Sequence, residues 1–290
     1  MPIALQLQPH ERDLGGGFMV RRLLPSAPRQ GIGPFIFFDH FGPETSHPED
    51  NHDVRPHPHI GLATVSYLFE GAILHRDSLG SVQRIEPGAI NWMTSGRGIV
   101  HSERTPPDLK DKTRVSHGLQ LWCALPKEHE ETAPAFAHTP AAALPVHQMP
   151  KVTVRVLIGS AFGETSPVQT FVPTLYLDFN AQAGAAFDFL PEAEECALYS
   201  VDYPLVVDGT PLEPHTLALL EPGSKTRVQA PEGARFVAVG GAPLDGHRHM
   251  WWNFVSSSRE RLEQAKADWE AQRMGHIPGD DSEFIPLPNK

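Results

Sequence analysis

Residues 88–103 have the sequence GAINWMTSGRGIVHSE, and this stretch decides the fold. The apolar run 89–93 ends at the turn residues 95–98, and a second short run follows at 99–103. Glycine-rich breaks between short apolar runs are typical of strands joined by tight turns. If 99–103 is a strand, His101 and Glu103 point to the same side, because side chains alternate along a strand.

The residues before this stretch follow the same rhythm. Short runs at 64–69, 73–76 and 82–85 end at Glu70-Gly71, near Leu79-Gly80 and at Pro87-Gly88, respectively. The chain has 24 glycines and 29 prolines among 290 residues, so breaks of this kind are frequent. Strands at this spacing predict an antiparallel β-sandwich or β-barrel.

The second half of the sequence repeats this pattern of short strand-like runs separated by turn residues. Residues 152–158 alternate with a period of two. Glu70-Gly71 has a counterpart in Asp208-Gly209, 138 residues later, and residues 86–88 have one in 221–223, 135 residues later. Chance recurrence of turn residues is the alternative explanation, but the order and spacing favour two copies of one β-unit.

The length suggests about two domains. We expect an N-terminal domain at residues 1–130, a linker at 131–150 and a C-terminal domain at 151–290, since the stretch 126–150 is rich in alanine, proline, histidine and glutamate. Near the end, residues 257–260 (SSRE) form a capping box, and Leu262, Ala265 and Trp269 follow at helical spacing. This predicts a C-terminal helix that packs on a barrel, with Gly275 as its C-terminal cap.

Composition and charge exclude several classes of protein. The 24 basic and 35 acidic residues give a net charge of −11, which argues against direct binding to nucleic acid. No apolar run approaches the roughly 18 residues of a membrane span or resembles a signal peptide, so we expect no membrane association. With only two cysteines, Cys123 and Cys196, a disulfide framework is excluded. A cytoplasmic protein is expected.

Histidine is concentrated in the first half: eight of the 16 histidines fall between His40 and His117. The pair His57-Pro58-His59 has the same one-residue spacing as His101-Ser102-Glu103. On two neighbouring strands these pairs would present three nitrogens and one carboxylate to a common point, a ligand set that suits a divalent first-row metal. A lone His-x-His is weak evidence for a metal site, and the second pair strengthens that evidence.

Five motifs together resemble the signature of the pirin family, a branch of the cupin superfamily. They are residues 38–43 (FDHFGP), 55–61 (RPHPHIG), 88–103, 119–122 (LQLW) and 251–257 (WWNFVSS). The resemblance implies an all-β bicupin, in which two jelly-roll-like cupin barrels face each other. It also implies that the C-terminal segment, where the sequence predicts a helix, helps to close one barrel.

The resemblance also implies one divalent metal ion per chain, in the N-terminal barrel. By the family pattern its ligands are His57, His59, His101 and Glu103, and the ion is usually Fe²⁺, with manganese, nickel, copper, cobalt and zinc as alternatives. Shifting the ligands by the repeat offsets reaches Glu195, Ala197, Phe236 and Ala238, which is no ligand set. We therefore expect no metal in the C-terminal barrel, and a loop at 247–249, where a second His-x-His stands.

Several pirin-like proteins resemble quercetin 2,3-dioxygenases, and this implies a flavonol-like aromatic substrate and O₂. In that scheme Glu103 is both a ligand and the base that accepts the flavonol hydroxyl proton. The alternative is a non-enzymatic, iron-binding redox sensor that binds a protein partner, either a transcription factor or a metabolic enzyme.

Other histidines outside the motif pairs have simpler interpretations. His75 and His117 are expected on strands, facing solvent or making a hydrogen bond. His40 either lines the mouth of the metal site or caps a loop.

Overall fold

The computed structural model describes residues 3–15 and 17–288, and these form 26 strands and one α-helix, with three short 3₁₀ turns. The strands of the first half are β1 (Ile3–Leu7), β2 (His10–Asp13), β3 (Met19–Leu24), β4 (Phe35–Ser46), β5 (Val54–His59), β6 (Leu62–Glu70), β7 (Ile73–Asp77), β8 (Val82–Ile85), β9 (Ile90–Thr94), β10 (Ile99–Arg104), β11 (Arg114–Ala124), β12 (Ala135–Thr139) and β13 (Val146–Met149). The elements of the second half are β14 (Val152–Ile158), β15 (Ser160–Ala161), β16 (Glu164–Thr165), β17 (Thr174–Ala181), β18 (Ala185–Phe189), β19 (Glu195–Ser200), β20 (Leu205–Val207), β21 (Thr210–Leu212), β22 (Leu217–Leu220), β23 (Thr226–Ala230), β24 (Ala234–Gly241), β25 (His249–Trp251), β26 (Phe254–Ser256) and α1 (Arg259–Glu270).

The chain divides into two compact units. The C-terminal unit contains Met1–Glu11, Arg21–Phe38 and Ala142–Leu244, and the N-terminal unit contains Arg12–Val20, Asp39–Ala141 and Asp245–Lys290. Both are built from β-sheets, so the predicted all-β class with a single C-terminal helix is confirmed.

The two halves of the chain use the same strand order. One four-stranded sheet runs β5-β10-β7-β8 and the other runs β18-β23-β20-β21. One seven-stranded sheet runs β12-β9-β6-β11-β4-β3-β2 and the other β1-β22-β19-β24-β17-β14-β13. Matching them position by position makes β5 equivalent to β18 and β10 equivalent to β23. The predicted duplication is therefore confirmed at the level of topology.

The predicted offsets of the repeat are wrong by one strand. Glu70-Gly71 joins β6 to β7, whereas Asp208-Gly209 joins β20 to β21, which are the equivalents of β7 and β8. The counterpart of Glu86-Pro87 is Glu213-Pro214, since both precede the equivalent strands β9 and β22. Turn residues recur at many hairpins, so they show that a hairpin exists without showing which one.

The unit boundaries also differ from the predicted ones. The segment 131–150, predicted as a linker, contains β12, which pairs with β9, and β13, which pairs with β14. Residues 245–290, predicted with the C-terminal domain, group with the N-terminal unit, and β1 pairs with β22 of the C-terminal unit. The edge strands β1 and β12 cover sheet edges that would otherwise leave backbone groups unpaired, and such strands carry little sequence signal.

Helix α1 packs by its apolar stripe, as predicted. Leu262, Ala265 and Trp269 are buried, and they contact an apolar cluster that includes Ile60 and Phe254. This cluster fixes the helix to the N-terminal unit.

The caps of α1 differ from the prediction by small shifts. Ser258, one residue later than expected, is the N-terminal cap and accepts a hydrogen bond from the backbone N–H of Arg261. The helix ends at Glu270, and Gln272, with a φ of 53°, takes the left-handed conformation that was expected of Gly275.

Two further features concern membrane spans and disulfides. Within residues 3–15 and 17–288, no helix is long and apolar enough to cross a membrane. Cys123 and Cys196 are both buried and unbridged.

At Gly61, between β5 and β6, the backbone of the C-terminal segment approaches closely. The φ of Gly61 is +69°, and a Cβ there would overlap the carbonyl oxygen of Val255. We expect Gly61→Ala to lower the free energy of unfolding by about 3 kcal/mol or more, from backbone strain and overlap together. Denaturant unfolding measures this change.

Gly80→Ala is the matched control for this prediction. Gly80 has a φ of +88° with open space around it, so only the conformational cost of about 1–2 kcal/mol is expected. Equal losses in the two variants would contradict the close approach of Val255 to Gly61.

Candidate metal centre

Strand β5 presents two imidazoles on one side because of its prolines. Arg55 and His57 each precede a proline, and this position disfavours helical backbone and favours an extended one. Pro56 and Pro58 lack an N–H, which an edge strand tolerates, and β5 is the first strand of its sheet. His57 and His59 therefore share one face.

Strand β10 brings the second pair opposite the first. In the β5–β10 ladder, His101 pairs with His57 and Ile99 pairs with His59. The register then shifts, so that Glu103 pairs with Val54. Strand β5 contributes one extra residue at this shift, as in a β-bulge, and the ladder is locally irregular there.

Three of the four predicted ligands converge. His57, His59 and His101 each offer a ring nitrogen, and these three nitrogens all lie within 4.8 Å of one another. The ring centroids of His57 and His101 are 4.3 Å apart, and the ring of His59 lies 5.0 Å from each of them. All three side chains are buried.

The hydrogen bonds of these rings leave nitrogens available for an ion. The Nδ1–H of His57 donates to the carbonyl oxygen of Arg55 at 2.8 Å, and the Nδ1–H of His59 donates to that of Asn253 at 3.3 Å. Both Nε2 atoms then carry a lone pair. Both ring nitrogens of His101 are buried without a hydrogen-bond partner. Because buried polar atoms are normally paired, this observation fits a group of three nitrogens built to hold a metal.

Burial keeps these imidazoles neutral. Desolvation lowers the pKa of His57 to about 4, and it lowers the pKa values of His59 and His101 well below the ordinary range, with further lowering from neighbouring histidines. Since a metal binds only the neutral imidazole, the site is ready for a cation at neutral pH.

Glu103 stands apart from the three histidines. It pairs with His75 across β7 and β10, and its carboxylate is not among the ligand atoms that lie within 4.8 Å of one another. Burial raises the pKa of Glu103 to about 7. Burial thus favours the protonated form of this side chain more than in an ordinary glutamate.

A buried His–Asp pair lies beside the three histidines. Nε2 of His75 lies 2.9 Å from Oδ2 of Asp77, and the backbone N–H groups of Leu79 and Ser81 donate to Oδ1 of the same carboxylate. A hydrogen bond was among the expectations for His75, but Asp77 was not predicted as its partner. Their i, i+2 spacing on a strand, the same as in the two ligand pairs, is the signal that could have found it.

Two aromatic rings complete the surroundings. Trp122 lies edge-on to His59, with centroids 5.1 Å apart, and Phe136 stacks on His75 at 4.2 Å. They give the site flat apolar walls.

His40 lies in β4, so it does not cap a loop. Its Nε2 lies 2.8 Å from Nε2 of His117, and the two rings stack. This pair makes the hydrogen bond expected of His117. His249 begins β25, so the loop predicted at 247–249 is wrong at this residue.

The equivalent positions of the C-terminal unit are apolar. His101 pairs with His57 and with Asp77, and Val228 pairs in the same way with Phe187 and with Val207. The equivalents of His59 and Glu103 are Phe189 and Ala230, one step along the same strands. These are not the positions reached by the predicted offsets, because those offsets were wrong by one strand.

Comparison with known proteins agrees with this arrangement. Residues 17–123 match the family model described as Pirin, and residues 176–275 match the one described as Pirin C-terminal cupin domain. The two cupin domains of the resemblance are thus confirmed.

Relatives match along nearly the whole chain. A pirin-like protein of Caulobacter vibrioides is 43% identical over 289 residues, covering 99% of each chain. Human pirin is 31% identical, covering 94% of this chain and 93% of its own. The crystal structure of a quercetin 2,3-dioxygenase from Acinetobacter baumannii superposes with a TM-score of 0.92 at 33% identity, covering 99% of this chain and 95% of that one. With its two cupin domains and its buried three-histidine group, the chain belongs to the pirin family.

Proposed function

We propose that the chain is an iron-dependent dioxygenase that opens the central ring of flavonols such as quercetin. His57, His59, His101 and Glu103 hold one Fe²⁺, and Glu103 also accepts the proton of the substrate hydroxyl. The similarity to a structure described as a quercetin 2,3-dioxygenase supports the substrate class.

The observation that carries the proposal is the group of three buried imidazoles around His101. Both ring nitrogens of His101 are buried without a hydrogen-bond partner. One ring nitrogen from each of His57, His59 and His101 lies within 4.8 Å of the other two. Unpaired buried nitrogens are costly unless a cation occupies the space between them. Imidazole and carboxylate ligands without thiolate suit Fe²⁺ and leave coordination positions for a substrate.

The residues of the chain have distinct tasks in this reaction. The bound ion would supply a Lewis acid and redox centre for the flavonol and O₂. The three imidazoles hold it, while Trp122 and Phe136 offer apolar walls to a flat aromatic substrate. Glu103, with a pKa of about 7, can accept a proton near neutral pH, where a general base is most effective.

Metal content tests the ligand set. We expect one ion per chain in the loaded protein, since the equivalent positions of the C-terminal unit are apolar, and loss of that ion in the double variant His57→Ala/His101→Ala. Elemental analysis measures both quantities. The control is His247→Ala/His249→Ala, which removes the second His-x-His and should keep the ion. Two ions per chain, or metal retained by the first variant, would contradict the assignment.

Proton release on metal binding tests Glu103 separately. At neutral pH the three imidazoles are already neutral, so they release almost no protons. A carboxyl with its pKa raised to about 7 should release a proton fraction that is large at pH 6 and falls as the pH rises to 8. Calorimetry of Co²⁺ binding in buffers of different ionisation enthalpy gives this fraction.

The variant Glu103→Gln is the control for proton release. It cannot lose a proton, so the release should fall to near zero at every pH. Release that is unchanged in this variant would mean that the protons come from other groups and that Glu103 is not deprotonated by the ion.

Turnover tests the activity itself. With iron bound, we expect oxygen uptake in the presence of quercetin, and a fall of about 100-fold or more in Glu103→Gln at equal metal loading, as is typical for a lost general base. A variant rate equal to the parent rate would contradict the base role. If the iron-loaded parent consumes no oxygen with any flavonol, the alternative of a non-enzymatic, iron-binding regulator is favoured.

A further inference from the structure

A segment near the C-terminus contacts β10 on the side opposite to His101 and Glu103. We call residues 277–287 the C-terminal strap. Oδ2 of Asp280 accepts hydrogen bonds from Oγ of Ser102 at 2.6 Å and from Nε of Arg104 at 2.9 Å, and Oδ1 accepts from Nη2 of Arg104 at 2.7 Å. One carboxylate thus holds two residues of the same strand.

The two residues that Asp280 holds alternate with the ligand positions. Ser102 lies between His101 and Glu103, and Arg104 follows Glu103. Because side chains alternate along a strand, Ser102 and Arg104 point away from the face that carries His101 and Glu103. The contacts of Asp280 therefore fix the backbone on both sides of Glu103 without occupying the site.

Strand β5 is tied to the same strap. The backbone N–H of Ile285 donates to the carbonyl oxygen of Pro56 at 2.8 Å, immediately before His57. The carbonyl of Ile285 in turn accepts from Nε1 of Trp269 at 3.0 Å. The strap thus spans both ligand strands and is anchored to α1.

Asp280 is the best placed of the acidic groups around Arg104. Its side chain is 12% exposed, and that of Arg104 is 14% exposed. Glu283 also reaches Arg104, at 3.0 Å, but it is 46% exposed. Asp53 lies farther away, at 3.7 Å. A bidentate ion pair with little solvent exposure holds its geometry better than a pair on the surface.

We propose that Asp280 is a positioning residue of the metal centre, which holds Glu103 in place by binding Ser102 and Arg104 on either side of it. The inference rests on the proposed role of Glu103 as a metal ligand. The β5–β10 ladder is irregular here, since its register shifts between His101 and Glu103, and contacts from behind β10 add to what holds Glu103 in place.

The test uses Co²⁺ as the probe, in the full-length protein. In Asp280→Ala we expect affinity for Co²⁺ to fall by about 10- to 100-fold, the range seen when support behind a ligand is lost, together with a change in the visible d–d absorption. Competition with a chromogenic chelator measures the affinity. Glu283→Ala is the matched control, since it removes a partner of Arg104 that does not contact Ser102, and it should change affinity less than about twofold.

A double-mutant cycle separates positioning from general stability. If Asp280 acts through Glu103, then Asp280→Ala should lower Co²⁺ affinity by less than about twofold in the Glu103→Gln background. The full loss in that background, or an unchanged affinity and spectrum in Asp280→Ala alone, overturns the inference.

The same cycle separates a wrong positioning role for Asp280 from a wrong ligand role for Glu103. Affinity and spectrum that are unchanged in Glu103→Gln alone would overturn the ligand role of Glu103, and the inference with it. Should Asp280→Ala not fold, Asp280→Asn and Ser102→Ala each remove part of the contact. Both should then shift the Co²⁺ spectrum in the same direction, and no shift in either overturns the inference.

Discussion

The candidate metal centre depends on the register between β5 and β10. Pairing of His101 with His57 and of Ile99 with His59 is what brings three imidazoles together. A slip of one residue would turn every side chain of β5 to the opposite face and disperse the group. The prolines of β5 keep that strand extended, but they have no backbone N–H. The β5–β10 ladder therefore has fewer backbone hydrogen bonds here. Contacts from outside the ladder are therefore needed to hold the register.

These outside contacts come from the last 46 residues, Asp245–Lys290, which group with the N-terminal unit. The carbonyl of Asn253 orients His59, at a turn where Trp252 adopts a φ of 51° that glycine would normally take. A bulky residue in this conformation is strained, and such strain persists where the surroundings enforce it. Val255 also donates its N–H to the carbonyl of Ile60, just beyond His59. The C-terminal segment is thus part of the site as well as part of the fold.

The strands and the ligand pairs could be predicted from sequence because their signals are local. Alternation and turn residues located β6 to β10, and the one-residue spacing of His57-Pro58-His59 and His101-Ser102-Glu103 located the pairs. Long-range pairing could not be predicted in this way. The edge strand β12 and the return of the C-terminal segment to β5 depend on which sheet edge is left uncovered, and short polar or alanine-rich segments do not encode that choice. The predicted offsets between the two repeats were wrong for a related reason, since similar turns occur at neighbouring hairpins.

Equivalent positions in the two units contribute differently to the free energy of folding. At the positions of His57 and His59 the C-terminal unit has Phe187 and Phe189, and Phe189 is fully buried in an apolar cluster. A buried phenylalanine contributes roughly 1.5–3 kcal/mol to folding, whereas a buried imidazole without a partner opposes it. The same strand order therefore supports either a packed apolar interior or a group of ligands, because the ladder fixes where side chains point and not what they are. In the N-terminal unit, contacts reach β10 from its far side, where Asp280 binds Ser102 and Arg104 without filling the space between the imidazoles.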